Sequence, residues 1–170
     1  TIVLAFSILK SLGLKDIKVC LNTLGDDESR ANYRSALKEY FAPYVDELCG
    51  DCKRRYEQNP LRILDCKVDH DHECMKNAPK MSDYLNEASQ EYFNTVCELL
   101  DKLEIPYEVD DKLVRGLDYY THTVFEIVSM NSEMGAQSTV LAGGRYDGLI
   151  SYFGGPEGMS GIGWALGMER

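Results

Sequence analysis

The sequence predicts an α+β fold, an antiparallel sheet flanked by helices and interrupted by a mainly helical module, and three observations support it. Runs with strand propensity stand at 17–21 and return at 107–109, 113–130 and 137–141, while the long regular patterns in the interval, at 27–41 and 87–103, are helical. The two long late runs are joined by 131–136, a loop of suitable length for an antiparallel hairpin. The chain therefore divides into a core piece at 1–25, a helical module at 26–106 and a second core piece at 107–170.

Residues 1–14, TIVLAFSILKSLGL, place Ile2, Leu4, Ala5, Ile8, Leu9 and Leu12 at helical spacing. They lack a basic leader and a small-residue cleavage site, so the segment reads as a core helix rather than a signal sequence. Gly13 turns the chain into a strand at 17–21, which Asn22 and Gly25 end. A helix over 27–41 carries acids in its first turn, where they suit the dipole, and Pro43 breaks it. A short helix at 44–48 leads into 49–80, a polar, cysteine-rich stretch without sustained period that predicts loops and short turns. A second long helix over 87–103 places Val96, Leu99, Leu100 and Leu103 on one face and ends before Pro106. The absence of an initiator Met, the immediate start in helical periodicity, and Arg170 standing in what reads as a growing helix predict a piece of a longer protein.

A chain of 170 residues, 44% hydrophobic and 27% charged, can build one core or two small lobes and belongs with globular proteins. No run approaches the roughly 20 apolar residues of a membrane helix. The net charge of −10 argues against a general nucleic-acid binder, because phosphate neutralisation needs a basic face. One local excess of base runs from 53 to 67, where Lys53, Arg54, Arg55, Arg62 and Lys67 outnumber Glu57 and Asp65. It reads either as a small phosphate-binding patch or as a solvated helix face.

The densest chemistry lies at 115–126, RGLDYYTHTVFE, which reads as a site built on a strand. The fork of guanidinium donors on Arg115 can reach a carboxylate and a phosphate together. Tyr119 and Tyr120, adjacent in a strand, should point to opposite faces. A second stretch, AGGRYDGL at 142–149, offers Gly143 and Gly144 for close backbone approach, followed by Arg145, Tyr146 and Asp147. A third, GIGWALGMER at 161–170, reads as a glycine-punctuated entry into a helix ending in Arg170.

These three stretches, in this order, resemble the catalytic core of the histidyl-tRNA synthetases, class II aminoacyl-tRNA synthetases, and the last is similar to class II motif 3. NPLRILDCK at 59–67 and SRANYRSAL at 29–37 resemble the segment which that family inserts before its RGLDYY strand, so the likeness covers nearly the whole chain. It implies a sheet of the class II type and a parent enzyme that activates histidine with ATP and Mg, forms histidyl-adenylate and charges tRNA(His). It further implies a cytoplasmic homodimer with no membrane association. Arg115 would bridge the histidine carboxylate and the α-phosphate, Tyr120 would meet the imidazole, Tyr119 and Tyr146 would line the histidine pocket, and Arg170 would contact ATP. Asp118 and Asp147 would orient neighbouring arginines. Lys53, Arg54 and Arg55 would meet the acceptor stem of the tRNA. Motifs 1 and 2 of the family are not among these residues, so the isolated piece is expected to be inactive. Two rivals stand beside this reading: a non-catalytic paralogue that senses histidine or regulates, and a zinc-binding RNA module. Regulatory paralogues typically depart from RGLDYY and from the motif 3 arginine, and both are intact here.

Cys49 and Cys52 form a C-x2-C pair, and Cys66 and Cys74 bracket His70 and His72 in CKVDHDHEC. A tetrahedral zinc site on Cys49, Cys52, Cys66 and Cys74 is one reading. The wide second spacing leaves free thiols as the other, and nothing suggests the secretion that disulfides require.

Overall fold

The computed structural model describes residues 1–114, 119–131 and 138–169. Strand β1 (Ile17–Thr23) takes an interior position in a five-stranded sheet, where buried Ile17, Val19 and Leu21 alternate with half-buried Lys18 and Cys20. On one side it pairs in parallel with β2 (Tyr107–Val109); on the other it pairs antiparallel with β3 (Thr121–Ser129). β3 continues to β4 (Thr139–Arg145) and β4 to β5 (Ile162–Leu166), both antiparallel, so the order is β2-β1-β3-β4-β5. The antiparallel pairing expected of the two late runs is thus present. The strand expected to begin at 113 begins only at Thr121, because Asp110 turns the chain first: its carbonyl accepts from the Leu113 amide (3.0 Å) and its side chain from the Lys112 amide (2.9 Å).

The C-terminal helix predicted from GIGWALGMER is not formed; those residues contain β5 followed by a turn. The register explains it. Cross-strand rows Val19–Ile127–Leu141–Leu166 and Leu21–Phe125–Gly143–Trp164 put the large members of the segment on one face. Alternation leaves Ala142, Gly144, Gly163 and Ala165 on the other.

The large-residue face is covered by two helices. α1 (Ile2–Ser11) buries Ile2, Ala5, Phe6 and Leu9, a narrower stripe than the sequence suggested, with Leu4 and Leu12 in solvent. α4 (Glu87–Lys102) buries Ser89, Phe93 and Leu100; Leu99 and Leu103, expected on its buried face, are exposed. Together these helices and the sheet form one core, with Phe125, Ile127, Val19 and Leu21 fully enclosed. Enclosure of the Phe125 side chain alone contributes about 1.5–3 kcal/mol.

A second core forms around α2 (Asp27–Phe41), whose Tyr33, Leu37 and Phe41 recur every fourth residue and are fully buried. It gathers the 3₁₀ turns Pro60–Ile63, Glu73–Met75 and Met81–Tyr84 and meets the sheet through Leu24, Val114, Tyr120 and Val124. The segment expected as loops also contains a nine-residue helix, α3 (Gly50–Gln58). Only Cys52 of α3 is buried, so it carries no apolar period to read; its start is fixed by the Cys49 sulfur accepting from the Cys52 amide. The short helix expected at 44–48 is the 3₁₀ turn Ala42–Glu47, begun by Pro43.

α2 and α4 cap one another. Asp26 accepts from the Ser29 amide (2.8 Å) and Asn86 from the Ser89 amide (2.9 Å), while the Ser89 hydroxyl accepts from the Asp26 amide (3.1 Å) and that of Ser29 from the Asn86 amide (3.0 Å). The Ser29 amide and then Asn86 hold the Asp26 carboxyl down to about 2, against the opposing cost of its partial burial. No helix among the described residues is long and apolar enough to cross a membrane.

Candidate functional site

The small-residue face of the sheet is the floor of a cavity of about 720 Å³, walled by Tyr119, Tyr120 and Tyr146. Tyr119 and Tyr120 do not point to opposite faces. Both precede the first residue of β3, so strand alternation does not govern them, and their ring centroids lie 5.0 Å apart. Tyr119 also meets Tyr146 edge to face at 6.2 Å. Tyr120 is buried and Tyr119 is 37% exposed, so the former is the fixed wall and the latter the accessible one.

The glycines of the two late stretches make room for these rings. A Cβ on Gly144 would lie 2.8 Å from Cδ1 and Cε1 of Tyr120, and one on Gly161 would lie 2.3 Å from Cε2 of Tyr146. A Cβ on Gly163 would approach the Tyr146 hydroxyl to 2.9 Å. The rings therefore lie directly against backbone, which only glycine permits.

Asp147 sews the stretches together. Its Oδ2 accepts from Nε of Arg145 at 2.6 Å, its Oδ1 from the Gly161 amide at 3.3 Å, and its own amide donates to Oγ1 of Thr121 at 3.3 Å. The Tyr146 amide donates to the Gly161 carbonyl at 2.7 Å. Arg145 is committed here and to the Tyr92 hydroxyl of α4, 3.2 Å from its Nη1. From the helical module, Arg30 donates through Nη1 to the Tyr120 carbonyl at 2.5 Å and through Nη2 to Asp27. The module thus fixes the backbone of the tyrosine wall.

A neighbouring cavity of about 750 Å³ shares Tyr119 and Leu149 with the first and adds Arg30, Asp147 and His122. The sequence reading passed over His122. It sits at a β-bulge with φ of 47°, and its Nδ1 is, among the described residues, the buried side-chain polar atom without a partner. Burial pushes its pKa below the ordinary histidine value. Arg115, Asp118 and Arg170 lie outside the described residues.

The family model described as histidyl-tRNA synthetase matches residues 2–170. The chain belongs to the histidyl-tRNA synthetase family. It is 54% identical over 169 residues to the histidine–tRNA ligase of Bacillus velezensis, covering 99% of this chain and 40% of that relative. Among solved structures it resembles apo histidyl-tRNA synthetase of S. aureus, with TM-score 0.78, 40% identity, and coverage of 99% of this chain and 40% of that one. It also shares its fold with an ATP phosphoribosyltransferase regulatory subunit/histidyl-tRNA synthetase from Bacillus halodurans, at TM-score 0.53, 20% identity, and coverage of 97% and 46%. The chain spans about 40% of the length of the curated relative it matches.

Lys53, Arg54 and Arg55 lie along α3. Lys53 and Arg54 are exposed, with Lys53 Nζ donating to the Asp46 carbonyl at 3.0 Å and Arg54 paired with Asp51. Arg55 is half-buried and donates to the Arg62 carbonyl at 3.0 Å, so it belongs partly to the interior. The cysteines divide differently from the expected four. Cys49, Cys52, Cys66 and Asp69 bring their ligand atoms within 4.8 Å of one another. The Cys74 sulfur instead lies 3.0 Å from Nδ1 of His72, and Asp69 completes the group. Burial pushes the Cys52 thiol up. Burial also opposes ionisation of Asp69, but donation from the Cys52, Cys49 and Cys66 thiols and the Cys49 amide outweighs it and leaves its pKa below the ordinary value.

Proposed function

We propose that the chain is part of a histidine–tRNA ligase that activates histidine with ATP, as its Mg complex, and transfers it from histidyl-adenylate to tRNA(His). The observation that carries this reading is the three-tyrosine wall standing over a glycine and alanine floor. A flat heterocycle fits between such rings, and a phenol hydroxyl can donate to or accept from an imidazole nitrogen. Tyr120, enclosed and held by Arg30 through its carbonyl, is the reader of the imidazole; Tyr119 and Tyr146 line the pocket.

Arg115 stands four residues before Tyr119 and supplies the cation that joins the histidine carboxylate to the α-phosphate. The carboxylate oxygen attacks the α-phosphorus, pyrophosphate leaves, and the guanidinium stabilises the charge on the equatorial oxygens without protonating the nucleophile. Arg170 contacts ATP. Residues 1–25 and 107–170 belong to the catalytic core, and 26–106 form the inserted module. Lys53 and Arg54, with Arg55 behind them, face the acceptor stem of the tRNA, where phosphate contacts position the RNA without reading its sequence. The active form is the full-length protein, a cytoplasmic homodimer.

Tyr120→Phe in the full-length protein tests the pocket. A site built around a hydrogen bond penalises its loss, so KM for histidine should rise about tenfold or more while KM for ATP changes little. Equal changes in both constants would show that the hydroxyl serves packing and not recognition.

A further inference from the structure

We propose that Cys49, Cys52, Cys66 and Asp69 bind one zinc ion. Three sulfurs and a carboxylate oxygen converge within 4.8 Å, and none of the four residues lines the tyrosine cavity. In a tetrahedral site with Zn–S of about 2.3 Å and Zn–O of about 2.0–2.2 Å, sulfurs stand about 3.8 Å apart and a sulfur stands about 3.6 Å from the oxygen. The Cys49 and Cys66 sulfurs are 3.8 Å apart, and the Cys66 sulfur is 3.6 Å from Oδ2 of Asp69. Two edges of the coordination polyhedron are thus already at their coordinated lengths.

The two halves of the site share one local geometry. Cys49-x2-Cys52 and Cys66-x2-Asp69 each turn so that the amide three residues on donates to the first sulfur, at 3.4 Å in both cases. Those amides aim positive dipoles at sulfur, the arrangement a metal-bound thiolate requires. The Cys49 amide reaches the Asp69 carboxylate at 3.1 Å and holds it toward the thiols. Burial of Cys52, Cys66 and Asp69 keeps water from competing for the ion.

The donor set selects the metal. Magnesium and calcium take oxygen ligands, whereas three thiolates with one carboxylate in tetrahedral array suit zinc. Three converging thiols also cannot all be satisfied by disulfides, since one would remain. The ion would tie the N-terminus of α3, a helix that carries Lys53 and Arg54 and buries only Cys52, to the loop at 66–69.

Untagged full-length protein should contain about one zinc per chain by elemental analysis. After chelation, titration with Co²⁺ alone should produce the visible bands of tetrahedral cobalt and thiolate charge-transfer absorption, saturating at about one equivalent. Added zinc should raise Tm of the stripped protein and added magnesium should not. Asp69→Ala and Cys66→Ser should lose the zinc, and Cys74→Ser should keep it. Absence of zinc together with a featureless cobalt titration of the wild type would overturn the site, and that result does not depend on any variant folding. Zinc retained by Cys66→Ser, or lost by Cys74→Ser, would overturn the assignment of ligands.

Discussion

Arg115→Ala in the full-length protein is expected to slow histidine-dependent pyrophosphate exchange by about two orders of magnitude or more, about 3 kcal/mol of lost transition-state stabilisation. Two anions, the histidine carboxylate and the α-phosphate, must approach while a pentavalent phosphorus gathers further negative charge. A fixed guanidinium offers several donors in one plane and is too weak an acid to protonate the nucleophile, as a more acidic donor would in part. Because the interaction strengthens as charge develops, the loss should fall mainly on kcat and not on the two KM values. Exchange near the wild-type rate would remove Arg115 from the mechanism.

Gly144→Val is expected to damage fold and pocket together. Its Cβ would lie 2.8 Å from two carbons of the Tyr120 ring and 2.9 Å from the Thr123 carbonyl oxygen, and the branch adds two more carbons. The carbonyl belongs to β3 and cannot retreat, so the ring must. Overpacking of this kind costs about 1–3 kcal/mol. Thermal denaturation should show a lowered Tm, and KM for histidine should rise about tenfold if some 1.4 kcal/mol of that strain is carried by the displaced ring. Gly50→Ala is the control, since a Cβ there meets nothing within 4 Å. A Gly144→Val protein with unchanged Tm and KM would mean that Tyr120 does not rest against this backbone.

The elements read most accurately from sequence are those whose ends carry their own chemistry. α2 was legible to its limits because Asp27 and Glu28 suit its first turn and Pro43 follows its end. β5 was misread because its glycines were taken as punctuation. In Gly161-Ile162-Gly163-Trp164-Ala165-Leu166 large and small residues alternate with period two, which is the signature of a strand with one packed and one open face. That alternation also held the floor of the cavity, so the same misreading hid the reason for the glycines.

The tyrosine pair lines a cavity but does not point to opposite faces, because the strand begins at Thr121, two residues after Tyr119. α3 had no apolar period to betray it, with Cys52 as its one buried side chain. The place of Asp69 beside the three thiols was not legible because an aspartate in a polar loop carries no distinguishing signal, although Cys66-x2-Asp69 repeats the spacing of Cys49-x2-Cys52. The positive φ of His122 arises from the bulge between β3 and β4, a pairing that no local sequence feature dictates.

The most direct test of histidine activation is amino-acid-dependent ATP–pyrophosphate exchange by the full-length wild-type protein, measured with each standard amino acid in turn. Histidine alone should support exchange, at a rate that saturates with both histidine and ATP. Histidine binding without exchange would contradict the account and mark the protein as a regulatory relative of the same fold.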